Sequence, residues 1–334
     1  MGHRIVSAAS LATHETVIDH LRDAGCEIIR LPAAFPGWTP EIISEYATGA
    51  DAFVGTFRGL RLPREAIAAA SGLKVITSPI IGVEHIDVQA ATELGVPVAH
   101  GAMAENFEGM AEAGVMLIAA LRKNMRGKQA CVAAGEWKTA ASGHLVTGST
   151  VGLLGLGRIG RGIARRLMSW DCEMIAHDPF VDAKLAAQHG VDLVDFDTLL
   201  ARSDTLLVLV TLTPETRHII NADALARMKA GASLINIGRG GCVDDAALLD
   251  ALNRGHLSGA AIDAWETEPP AADHPLRNHP LVIATAHDVG HSAELYARIP
   301  EVAAENTLRA LRGETPLHVA NPAVIERWQA RWRQ

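Results

Sequence analysis

The chain carries no excess of positive charge, no paired cysteines and no long apolar run, and each absence removes a class of function. Of its 334 residues 30 are Lys or Arg and 38 are Asp or Glu, a formal net charge of −8 that leaves no electrostatic footprint for nucleic acid. The longest uncharged apolar stretch, Thr205 to Thr213, is far too short to cross a bilayer. Arg4 followed by Ile5 to Ala12 has the order of a signal peptide, but its apolar part is short and merges into His14-Glu15. Cys26, Cys131, Cys172 and Cys242 lie far apart without a CxxC spacing, which is the usage of reduced thiols and predicts a cytoplasmic protein. Low-complexity and linker-like segments are missing as well, so the length suffices for two domains of ordinary size, each with its own core.

What the chain does have is alternation. Short β-branched runs at Ile5-Val6, Glu27 to Leu31, Ala52 to Val54 and Lys74 to Thr77 read as strands, with helices starting near Thr13, Pro40 and Pro63. A long helical pattern from Glu105 to Lys123 leads away from this unit. A second series follows Gly148, with strands at 150–154, 173–177, 205–210, 232–237, 259–262 and 281–284. Its helices fall near 158–169, 182–189, 221–229 and 244–254. Repeated βαβ units predict an α/β protein of two doubly wound parallel-sheet lobes. The last helical stretch, Ala293 to Leu311, follows the completed second sheet and is expected to return to the first lobe. The boundary is then crossed near residues 101 and 289, which leaves a cleft between the lobes.

One segment specifies a ligand. The apolar run from Val151 enters Gly155-Leu156-Gly157-Arg158-Ile159-Gly160, continues as a helix to Trp170, and is followed by a second strand ending in His177-Asp178-Pro179. Gly155 permits the strand-to-helix turn, Gly157 lets backbone N–H groups approach a pyrophosphate, and Gly160 allows close packing of helix on sheet. The phosphates then meet the helix N-terminus, where unpaired N–H groups favour negative charge. Asp178 falls where an acid accepts from the 2′- and 3′-hydroxyls of NAD and repels the 2′-phosphate of NADP.

Three further clusters place chemical groups at strand ends. Asn236 to Gly241 is a glycine-rich turn bearing Arg239, whose planar fork suits a carboxylate or α-keto acid. Asp263-Ala264-Trp265-Glu266-Thr267-Glu268 brings three acids after a strand. Ala284 to His291 sets His287 at the C-terminal edge of a parallel sheet, where ligands bind.

Taken in order, these motifs resemble the D-isomer-specific 2-hydroxyacid dehydrogenase family, which includes glycerate, phosphoglycerate, formate and D-lactate dehydrogenases. The likeness runs through Ile86-Asp87, Ala90-Ala91, Gly95-Val96-Pro97, Ala111-Glu112 and the Gly155 loop. It continues through Pro214 to Arg217, Met228-Lys229, Asn236 to Val243 and Asp263 to Pro269, and ends in Glu305-Asn306 and Asn321-Pro322. The resemblance implies a Rossmann NAD-binding domain (101–289) inserted into a flavodoxin-like substrate domain (1–100 and 290–334). It implies an NAD-dependent oxidoreductase that interconverts a 2-keto acid and a D-2-hydroxy acid by hydride transfer, with Arg239, Glu268 and His287 as the catalytic set. Gly155, Gly157, Arg158, Ile159, Gly160, Asp178, Thr211, Pro214 and Asp263 would hold the cofactor, and Ile81, Gly82, Arg58 and Arg239 the substrate. It implies a homodimer, formed through the long helix and the segment around Trp137.

These residue types suit the reaction. A protonated His287 is a natural proton donor near neutral pH, Glu268 would orient the imidazole and raise its pKa, and Arg239 would anchor the substrate carboxylate. Lobe closure would exclude water. The chain also departs from the family. Ile80-Ile81-Gly82 replaces a Gly-Val-Gly loop, His100 stands where Asn is common, with one extra residue between it and Asn106, and His287 lies between Ala286 and Asp288 rather than after Pro and before an aliphatic residue. Asp288 either perturbs His287 or is a solvated loop acid, and Arg58 either binds a second anionic group or is solvated. Other readings are phosphite oxidation and a regulatory NAD-binding protein like the co-repressors that share the fold. A metal site from His287 and His291 lacks a third ligand, so no metal is expected.

Overall fold

A computed structural model describes residues 2–8, 13–32, 35, 37–56, 61–138 and 142–332. The chain divides into two compact units, Met1–Glu105 with Ser292–Gln334, and Asn106–His291.

The first unit is built on a five-stranded parallel sheet: β1 (Arg4–Ala8), β2 (Glu27–Arg30), β3 (Ala52–Gly55), β4 (Val75–Thr77) and β5 (Val98–Ala99), in the order β2-β1-β3-β4-β5. Both faces are covered, so the central strand β3 is buried throughout, and Val6, Phe53 and Ile76 lie in one core while Ile5, Val54 and Val75 lie in another. The edge strand β5 is only two residues long and is completed by a side chain. Asn321 accepts from Val98 N–H at 2.8 Å and donates to Val96 O at 3.0 Å. The helix Ala293–Leu311 packs into this unit, with Ala303, Ala304 and Ala310 against Ile5 and Val54. Its Asn306 accepts from Leu317 N–H at 2.7 Å. The order reverses between β1 and β3, and the loops leaving those strands contain residues 9–12 and 57–60; Arg58 therefore lies outside the described residues.

The second unit holds seven parallel strands: β6 (Thr150–Leu154), β7 (Glu173–His177), β8 (Asp192–Leu193), β9 (Thr205–Val208), β10 (Ser233–Asn236), β11 (Gly259–Ile262) and β12 (Val282–Ala284). Their order is β12-β11-β10-β9-β6-β7-β8. Strands β9, β10 and β11 are buried at every position, as a sheet covered on both faces requires. The order reverses between β6 and β9, and the crevice outside the strand ends at such a point is where doubly wound sheets bind ligands. The 19-residue helix Ala104–Arg122 buries Ala111, Leu117 and Ile118 against Ile163, Leu207 and Ile235. The stretch expected to form a helix near Pro40 is one α-turn, Pro40–Ile42, continued as a π-helical Ile43–Ala47.

Candidate active site

The glycine loop leaves β6 at the reversal point. Gly155 has φ +102°, a left-handed conformation that a side chain would strain. A Cβ on Gly157 would meet nothing within 4 Å, so this residue leaves open space at the start of the helix Arg158–Leu167, and it offers no side-chain cap to the helix. A Cβ on Gly160 would lie 2.6 Å from Gly155 O; only glycine permits that approach of helix to strand. Arg158, the first helical residue, is exposed, with its guanidinium 4.5 Å from the centre of the Phe107 ring, while Ile159 packs on the core beneath. At the end of β7, Asp178 accepts from Leu156 N–H at 2.8 Å through Oδ2 and from Phe180 N–H at 2.9 Å through Oδ1. Each oxygen keeps a second lone pair, so the carboxylate both ties down the glycine loop and is able to accept from ribose hydroxyls. Thr211 and Pro214 follow β9, where the Thr211 carbonyl accepts from Thr216 Oγ1 at 2.7 Å. Open space over a helix N-terminus, with an acid across from it, fits a dinucleotide.

Arg239, Glu268 and His287 come from the C-terminal ends of three neighbouring strands, β10, β11 and β12. His287 Nδ1 lies 2.7 and 2.9 Å from the two oxygens of Glu268, and each side chain is 40% exposed. An ionised carboxylate only accepts, so Nδ1 carries a proton and Nε2 is the nitrogen able to exchange one with a ligand. The hydrogen bond to Glu268 raises the His287 pKa above its ordinary value. Burial opposes this, the Glu268 and Asp263 charges assist, and the Arg239 charge opposes. Glu268 is itself held by Trp265 N–H, which donates to Oε1 at 3.0 Å.

The positions of His287 and Arg239 depend on two buried side chains. His287 has φ +59°, a left-handed conformation that a non-glycine residue keeps only when its surroundings hold it. Asp263, 2% exposed, supplies that hold: its Oδ1 accepts from Thr285 Oγ1 at 2.7 Å, Asp288 N–H at 3.0 Å and Val289 N–H at 3.1 Å. The acid expected beside the cofactor is thus also the anchor of the His287 loop. Asn236, also 2% exposed, was legible only as part of a motif. Its Nδ2 donates to Ala264 O at 3.2 Å and Arg239 O at 3.3 Å, joining the Arg239 turn to the next strand end. Gly240 tightens the same junction, since a Cβ there would fall 1.8 Å from Trp265 O. Asp288 is exposed and turns back toward Ala286 N–H at 3.4 Å.

Ile81 and Gly82 are half-buried beyond β4 in the other unit. Ser78 Oγ donates to Gly82 O at 2.9 Å, and Gly101 N–H to Ile80 O at 2.9 Å, so this loop has a fixed backbone. Among the described residues no group of three or more His, Cys, Asp or Glu side chains is assembled to hold a metal ion, and no helix is long and apolar enough to cross a membrane.

The chain is similar to several known proteins. Residues 115–288 match the model of the D-isomer specific 2-hydroxyacid dehydrogenase, NAD binding domain. The chain is 36% identical over 310 residues to the D-3-phosphoglycerate dehydrogenase of Methanocaldococcus jannaschii, covering 92% of this chain and 58% of that protein. It is 35% identical over 276 residues to the glyoxylate reductase of Thermofilum pendens, 80% of each chain being covered. Among solved structures, the NAD-dependent formate dehydrogenase of Staphylococcus aureus in complex with NAD superposes with a TM-score of 0.79 at 29% identity, over 93% of this chain and 96% of that one. The protein belongs to the D-isomer specific 2-hydroxyacid dehydrogenase family, and its cofactor is NAD. The chain spans about half the length of the phosphoglycerate dehydrogenases it matches.

Proposed function

We propose that this protein reduces a 2-keto acid to a D-2-hydroxy acid, and catalyses the reverse, through the Arg239, Glu268 and His287 set. The observation that carries the reading is the two-oxygen contact of Glu268 with His287 Nδ1, which raises the imidazole pKa and leaves Nε2 as the proton-delivering nitrogen. Bound NADH supplies the hydride to the carbonyl carbon. His287 Nε2 gives its proton to the carbonyl oxygen as that oxygen becomes a hydroxyl, and Glu268 stabilises the imidazolium before transfer. Arg239 binds the substrate carboxylate through two parallel N–H groups and polarises the carbonyl beside it. In this reading the Gly155 loop with Arg158 holds the pyrophosphate. Asp178 favours NAD over NADP.

The substrate is a small 2-keto acid, and the names of the two relatives point to hydroxypyruvate-like and glyoxylate-like carbon skeletons as the first to try. A panel of glyoxylate, hydroxypyruvate, pyruvate, oxaloacetate and longer keto acids with NADH tests the reaction; NADH oxidation with none of them would contradict it. We also propose a homodimer. Trp137, Leu145 and Val132 are 86%, 65% and 63% exposed, and Met116 on the long helix 53%, apolar side chains that a second copy would cover. Sedimentation at micromolar concentration should give twice the mass of the 35.4 kDa chain.

A further inference from the structure

Behind the turn that carries Arg239 lies a buried carboxylate that the proposed chemistry does not use. Asp245 is the first residue of the helix Asp245–Asn253 and is 9% exposed. It does not cap that helix, because the preceding Asp244 already accepts from Ala247 N–H at 3.0 Å. Burial pushes the Asp245 carboxyl up to about 6, against the pull of His274. Retaining an acid in such a place costs stability, so its contacts indicate what it holds.

Those contacts converge on Trp265. His274 Nε2 lies 3.5 Å from Asp245 Oδ2. The His274 ring meets Trp265 edge to face at 5.5 Å and 86°, and its Nδ1 is buried without a hydrogen-bond partner, so the ring's orientation rests on Asp245 and Trp265. On the opposite side, Trp265 N–H donates to Glu268 Oε1, the oxygen 2.7 Å from His287 Nδ1, and Trp265 Nε1 donates to Thr285 O at 2.8 Å.

We propose that Asp245 and His274 are positioning residues for the acid–base pair: Asp245 orients the His274 ring against Trp265, and the Trp265 N–H holds the Glu268 carboxylate on His287. The proposal rests on the reading of Glu268 and His287 as the proton-handling pair. The charged or titratable groups facing His287 are Glu268, Asp263 and Arg239; those facing Asp245 are His274, Glu266 and Asp244. The Glu266 carboxylate lies 2.7 Å from His218 Nε2. If Trp265 shifts, Glu268 loses its orienting N–H, its bond to His287 lengthens, and the imidazole pKa falls.

The experiment titrates the His287 imidazole by NMR in the whole protein without substrate, its resonance assigned by its disappearance in His287→Gln. Asp245→Asn and His274→Gln should each lower the His287 pKa by about half a unit or more, with NADH Kd changed by less than about two-fold. The second variant separates positioning from simple electrostatics. It removes a group that is neutral or positive, so through space it leaves the His287 pKa unchanged or raises it, and a fall reports the displaced Glu268. It also carries the test if Asp245→Asn fails to fold. An unchanged or raised pKa in folded His274→Gln overturns the proposal. Because no turnover is needed, a parent protein that reduces no keto acid contradicts the proposed reaction and leaves this titration to be read on its own.

Discussion

His287 concentrates the chemistry, and its pH behaviour has a definite sign. Its pKa is raised chiefly by the hydrogen bond to Glu268, so the protonated form needed for reduction persists above the ordinary histidine range and is lost as pH rises through the raised value. Glu268→Gln removes the charge and should move the alkaline decline of reductive kcat to lower pH; the acid limb of the oxidative direction should move down with it. Profiles that overlay those of the parent, with chemistry shown to be rate-limiting, would deny Glu268 this role. Arg239→Lys keeps a positive charge but loses the planar fork. Keto-acid kcat/KM should therefore fall by about 10²-fold or more while NADH affinity stays nearly constant. A collapse of NADH binding instead would assign the arginine to the cofactor. Asp245 yields a stability prediction of opposite character. Its carboxyl is raised from 3.8 to about 6 in the fold, so its favourable contribution is complete below the unfolded pKa and disappears as pH rises through about 6. Relative to the parent, Asp245→Asn should gain stability between about pH 4 and 7.5, on the order of 3 kcal/mol at most, as read by urea unfolding at the two ends. A gap independent of pH would mean that the acid is not buried in its charged form.

At the scale of the element, the strand ends were legible and their supports were not. The glycine loop, Asp178 and the turn around Arg239 stand out in sequence because a glycine pattern next to an apolar strand restricts the backbone to few conformations. The supporting roles of Asp263 and Asn236 do not stand out, because the partners of Asp263 lie more than twenty residues downstream in the His287 loop and Asn236 joins two strand ends through one amide. The Asp245–His274 pair is hidden for the same reason. Short elements escaped as well: the two-residue strands β5 and β8, and the helices Val88–Leu94, Met125–Ala133 and Phe196–Arg202, are too brief for periodicity to separate from loop. Gly240→Ala places a methyl group against the Trp265 carbonyl, which is backbone and cannot rotate away, so the junction of the Arg239 and Glu268 loops must open. We expect a destabilisation of about 1–3 kcal/mol by denaturant unfolding and a loss of kcat larger than the loss of NADH affinity. Wild-type turnover would show that the junction does not matter. Asp178→Ser with Pro179→Arg should narrow the preference for NADH over NADPH. Because Asp178 also holds Leu156 N–H, NADH affinity should fall with it. Equal efficiency with both cofactors in the unaltered protein would remove the premise.

For the whole molecule, the alternation of short strands and helices was enough to predict two parallel sheets, because a parallel connection needs a crossover and each crossover leaves its own periodic signature. The order of the strands was not written in any single segment; it follows from which apolar faces meet, and it puts the Gly155 loop and the β9 loop on either side of the reversal point. The three residues of the proposed catalytic set share one edge of the second sheet because β10, β11 and β12 are neighbours and all run the same way. That arrangement makes a single comparison decisive. NADH oxidation should be followed in a single turnover with the best keto acid of the panel, for the parent and for His287→Ala, after NADH binding to both has been measured by fluorescence. The account predicts equal NADH affinity, turnover in the parent, and a reduction rate at least about 10³-fold slower in the variant. A His287→Ala protein that reduces the keto acid as fast as the parent, or a parent that binds NADH and reduces none of the keto acids, would contradict it.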